Sequence, residues 1–135
     1  MLRAQVGLEY AAIIILLLVV LIPLVYLGFR DIQTASQVSR TKIAVDAIAD
    51  AVNRVYAQGP GARTTIEIFL PDGINSVSIT GKEVNYNVIL PGGGTTDVFA
   101  LAKGNLSGTL PMSVGRHLLI LNMNSSGVVV VSETT

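Results

Sequence analysis

From Ala11 to Phe29 the chain carries no charged residue, and Ile, Leu and Val fill most of the 19 positions. At 1.5 Å rise per residue, a helix of this length matches the hydrocarbon core of a bilayer. The run is apolar on every side and poor in small residues, so no close-packing GxxxG face is expected. Pro23 removes one backbone donor and favours a kink or local loosening, which a spanning helix tolerates. No breaker follows until Gly59-Pro60-Gly61. The same helix is therefore expected to continue through Ala57, about 53 residues from Gln5 and roughly 80 Å long.

Beyond Arg30 the pattern changes. Val38, Val45 and Val52 recur every seven residues, with Thr41, Ile48 and Val55 between them, which is an a/d heptad stripe. Lys42 with Asp46, and Asp50 with Arg54, stand off the stripe at favourable i,i+4 spacing. The stripe can pack on the chain's own C-terminal domain or on other subunits, and one stripe could serve both.

After Gly61 the period becomes alternating. Strands are expected at Thr64–Leu70, Ser76–Thr80, Lys82–Leu90, Thr96–Lys103, Gly108–Met112, Arg116–Met123 and Gly127–Thr134, with Gly-, Pro- and Asn-bearing turns between them. Val84, Tyr86, Val88 and Leu90 alternate with Asn85 and Asn87, as a half-exposed strand should. Leu118 to Leu121 and Val128 to Val131 are apolar on both faces and predict cover on both. The expected fold class is α+β. A long N-terminal hydrophobic helix, residues 5–58, has an apolar part at 5–29 and an amphipathic part at 30–58. It precedes a small antiparallel β-sandwich at 62–135, giving one domain plus an anchor.

Composition narrows the function classes. Lys and Arg balance Asp and Glu at nine each, so no basic field recruits nucleic acid. The absence of cysteine excludes a disulfide framework, a thiolate metal site and a cysteine nucleophile together. Gly92-Gly93-Gly94 has no following Lys-Ser/Thr and no helix, so it reads as a hairpin loop rather than a phosphate cradle. The acids of the C-terminal half, Glu67, Asp72, Glu83, Asp97 and Glu133, show no metal-ligand spacing. No serine sits in a G-x-S-x-G elbow. The single histidine, His117, reads as a strand-edge residue with no partner nearby in sequence. No catalytic constellation, cofactor site or metal site is expected, and the chain does not read as an enzyme. Asn105-Leu106-Ser107 and Asn124-Ser125-Ser126 are N-glycosylation sequons in predicted turns.

The N-terminus is the most informative segment. Glu9 stands at the lip of the apolar run, where a carboxylate costs roughly 2 to 4 kcal/mol in hydrocarbon. It therefore needs an interfacial position or a partner. A secretory signal would have a shorter apolar core ending at a small-residue cleavage site, and Gly28-Phe29-Arg30-Asp31 is a poor one. Gln5-Val6-Gly7-Leu8-Glu9-Tyr10 resembles the Q-x-S-x-E-Y signature of the class III signal peptides of archaeal type IV pilins, with Gly7 where Ser is usual. Ala4 is a permissible small residue before the cut.

The resemblance implies a leader of residues 1–4 removed by a prepilin peptidase between Ala4 and Gln5, which makes Glu9 the fifth mature residue. It further implies a lollipop-shaped subunit, first held in the membrane. Such subunits are polymerised into a helical homopolymer by an assembly ATPase and its platform. Counting Arg3 against Arg30, Arg40 and Lys42 by the positive-inside rule would put the C-terminal domain in the cytoplasm. The resemblance puts it outside the cell. The expected function is thus a structural subunit of an extracellular adhesive filament with Glu9 in its assembly contact. A monomeric membrane-anchored β-sandwich binding protein and a minor pseudopilin are the alternatives.

Overall fold

The computed structural model describes residues 2–134. Met1 of the expected leader and Thr135 of the expected head lie outside the described residues. Helix α1 spans Leu2–Gln58 and includes Pro23 within it. Seven strands follow: β1 (Arg63–Leu70), β2 (Ile74–Thr80), β3 (Glu83–Ile89), β4 (Thr95–Leu101), β5 (Leu106–Gly108), β6 (Gly115–Met123) and β7 (Val129–Thr134). The fold is α+β, an apolar N-terminal helix followed by a four-stranded sheet ordered β1-β6-β7-β5 and a three-stranded sheet ordered β2-β3-β4. The chain divides into two compact units, 1–33 and 34–135.

In the first unit the helix buries nothing. Its fifteen large apolar side chains from Ile13 to Phe29 are each 45% to 69% exposed. They occur all around the helix rather than along one stripe, the pattern of a helix that must be enclosed in lipid or other protein.

In the second unit the rest of α1 is a core element. Thr41, Val45, Ile48, Val52 and Val55 are fully buried, so the heptad stripe packs on the chain's own domain. Ala44, Ala49 and Ala51 are buried in the same core. The helix fills the side between strands β4 and β1, which end their respective sheets. On the β4 flank, Lys42 Nζ donates to the Phe99 carbonyl at 2.9 Å and Asn53 Oδ1 accepts from the Lys103 amide at 2.7 Å. On the β1 flank, a groove lined by Arg40, Ile43, Ala44, Ala47 and Phe69 separates helix from strand. Across the domain the two sheets meet where the Leu106 amide donates to the Gly81 carbonyl at 2.9 Å.

Three expectations change. The fifth strand is Leu106–Gly108 rather than Gly108–Met112, and it runs parallel to β7, so the sandwich is not purely antiparallel. The chain enters the sheet beside the start of β7, where the Val129 amide donates to the Asn105 carbonyl at 2.9 Å. Gly108 then sits at φ +120°, and any Cβ there would overlap the Val131 carbonyl, so only glycine fits at the end of this strand. Finally, β6 is covered on one face only. Leu119 and Leu121 are fully buried, while Leu118 on the opposite face is 47% exposed.

Candidate functional site

Ala4, Gln5 and Glu9 all lie on the exposed N-terminal part of α1. Gln5 and Glu9 are four residues apart and so share one helix face. Glu9 has no hydrogen-bond or ion-pair partner among the described residues. A free α-amine generated at Gln5 would stand one turn from this carboxylate.

The two sequons converge at one end of the second unit. Asn105 precedes β5 and Asn124 opens the β6–β7 turn, and their main chains bond to the adjacent residues Val129 and Val128. The C-terminus of α1 reaches the same end, where the Gly61 amide donates to the Met123 carbonyl at 3.0 Å. The two asparagines differ in their local roles. Asn105 is exposed. Asn124 is half-buried, and its Oδ1 accepts from the amides of Ser126 and Val128, each at 3.0 Å. That is an Asx-type turn holding the hairpin, so replacing Asn124 perturbs the turn as well as the sequon. Ser126→Ala removes the acceptor sequence and keeps the turn.

His117 is not a strand-edge residue. It lies in β6, between β1 and β7, and is buried. Its Nδ1 stands 2.6 Å from Glu133 Oε1 and its Nε2 stands 2.8 Å from the Ser113 carbonyl. Both neighbours are acceptors. A neutral imidazole has one N–H, so satisfying both requires the doubly protonated ring. The Ser113 hydroxyl is also near, at 3.5 Å from Nε2, which gives a superficial Ser-His-Glu arrangement. An imidazolium whose Nε2–H is committed to a carbonyl has no lone pair to take a serine proton. The group works as a clasp between β7 and the segment leading into β6. Tyr86 lies on the same side of the core and donates to the Pro111 carbonyl at 3.1 Å. Burial, followed by the negative charge of Glu133, pushes its phenol further above the ordinary value, so it stays protonated. Glu67 and Arg116, 3.6 Å apart, flank the rim.

Burial alone would lower the His117 pKa. The Glu133 hydrogen bond, the Ser113 carbonyl and the Glu133 charge outweigh it, and the net shift is upward. A raised folded-state pKa contributes stability that is complete below the unfolded value of about 6.5 and is lost as pH rises through the folded value. The melting temperature should therefore fall as pH climbs through neutrality. In His117→Phe that slope should flatten, as followed by circular dichroism melts across the range. An unchanged slope would assign the effect elsewhere.

The clasp had one sequence signal, a lone histidine in an apolar strand. Its partner Glu133 is sixteen residues on, so spacing could not supply it. No family model, no curated protein and no solved structure matches the chain.

Proposed function

We propose that this chain is a structural subunit of an archaeal type IV pilus-like extracellular filament, assembled by bundling of N-terminal helices and used for surface adhesion. One observation carries the reading. Fifteen large apolar side chains on one helix are exposed, while the second unit keeps its own core closed. Each such side chain is worth roughly 1.5 to 3 kcal/mol when withdrawn from water, so the set demands an apolar surrounding. A membrane supplies it first, and neighbouring helices supply it in the filament. Because lipid already solvates these side chains, the net gain on leaving the membrane is small, which is why an assembly ATPase and platform belong to the proposal. The residues 5–10 motif adds a prepilin peptidase cutting between Ala4 and Gln5. In the bundle, Glu9 pairs with the α-amine or polar backbone of a neighbouring subunit, since an unpaired carboxylate there is costly.

The test combines intact mass with negative-stain microscopy of the expressing cells. Filaments should be present and their subunit should begin at Gln5. Glu9→Ala should leave processed subunit in the membrane with few filaments. Correctly anchored subunit with no filaments in the parent would favour the monomeric membrane-anchored binding protein. A subunit starting at Met1, or beyond Phe29, would overturn the processing step.

A further inference from the structure

The outer face of the three-stranded sheet carries an ordered array of polar side chains beside exposed apolar ones. Asn75 Nδ2 donates to Asn87 Oδ1 at 2.9 Å, and Asn87 Nδ2 donates to Asp97 Oδ1 at 2.7 Å. The ladder crosses all three strands, and each member holds the next in a fixed orientation. One cross-strand row away, Asn85 pairs with Phe99. The Phe99 ring is 50% exposed, and Leu101, two residues further on the same face, is 64% exposed. A sheet face that merely meets water needs neither a pre-oriented ladder nor a bare aromatic ring beside it.

The chemistry selects the occupant. Side-chain amides offer paired donors and acceptors, and the carboxylates of Glu83 and Asp97 offer acceptors only. No lysine or arginine occupies the outward positions of β2, β3 or β4. Lys42, beside Phe99, is already held by Asp46 Oδ1 at 2.7 Å and the Phe99 carbonyl at 2.9 Å, so the face opposes an anion with the carboxylates of Glu83 and Asp97. Protein interface cores are depleted in Ser, Asp and Glu, whereas this face includes Ser76, Ser78, Glu83 and Asp97. A polyol fits both halves of the surface. Vicinal hydroxyls donate to and accept from planar amide and carboxylate groups, and the C–H face of a pyranose ring lies against an exposed aromatic ring.

We propose that this sheet face binds a neutral polysaccharide, with Phe99 stacking on a sugar ring and Asn87 and Asp97 bonding its hydroxyls. This gives a ligand class to the adhesive role proposed above and rests on that reading only for the face being outside the cell. The full chain in detergent micelles should be retained on insoluble neutral polysaccharides, with cellulose, chitin and mannan particles as probes. Retention should fall about tenfold or more in Phe99→Ala and in Asp97→Ala, as expected when a stacking or hydrogen-bonding contact is lost, and recover in Phe99→Tyr. Phe69→Ala, an exposed aromatic on the other sheet, should leave it unchanged. Circular dichroism on each variant separates loss of binding from loss of fold. No retention on any of the three probes would overturn the proposal, as would equal retention of Phe99→Ala or retention only by alginate and other charged polymers. Detergent-held subunits form no filament, so failure here and failure of filament assembly are read separately.

Discussion

A chain lacking residues 1–30 should emerge soluble, monomeric and cooperatively folded, and should form no filaments at any concentration. The prediction follows from where each half of α1 finds its apolar contacts. The first unit ends at Gln33 and its large side chains remain exposed, so its removal takes no atom from the core. The second unit retains the helix from residue 34, with Thr41, Val45, Ile48, Val52 and Val55 sealed against both sheets. A helix of that length is marginal in isolation, but here tertiary burial holds it. Light scattering should show a monomer, circular dichroism should show retained strand content, and electron micrographs should be empty of fibres. Fibres from the truncated chain would mean that contacts of the β-rich unit hold the filament. A molten or unfolded product would mean that this unit needs residues 1–30 or its neighbours.

Much of this division was legible in the sequence because two periodicities carry it. The uncharged run at 11–29 marks the helix that needs cover, and the shift to a seven-residue stripe marks where the helix begins to find its own. Sequence pattern could not say what the stripe touches, since a heptad face looks the same against a sheet or another helix. The outer face of β6 misled for a related reason. Leu118 and Ile120 are as apolar as Leu119 and Leu121, and periodicity alone cannot tell a strand covered on both faces from one exposed on one. The short β5 starts two residues and ends four residues earlier than expected, because its place is set by parallel pairing with Val129–Val131, more than twenty residues away in sequence. The asparagine ladder was half visible. Asn85 and Asn87 read as outward-facing, but the alignment of Asn87 with Asp97, and of Asn85 with Phe99, needed the β3–β4 register.

The sharpest single-residue contrast lies on one helix, five positions apart. Ile48 is fully buried and Ile43 is 67% exposed. Ile48→Asp should unfold the second unit or nearly so. Truncating a buried isoleucine to alanine already costs about 2 to 5 kcal/mol, and burying an unpaired carboxylate adds several kcal/mol more. Against a total stability of roughly 5 to 15 kcal/mol, that removes most of the margin. Ile43→Asp keeps its carboxylate in water and should change stability by no more than about 0.5 kcal/mol. The two variants share helix propensity and charge, so helix formation alone cannot separate them. Thermal melts of the full chain in detergent decide the matter. If Ile48→Asp melts like the parent and instead loses filaments, the stripe belongs to subunit contacts rather than to the core. If Ile43→Asp keeps its melt but loses filaments, the groove between α1 and β1 is where a neighbouring subunit sits. If both melts and both filaments survive, the helix from residue 34 onward is a passive support and assembly rests on the first unit alone.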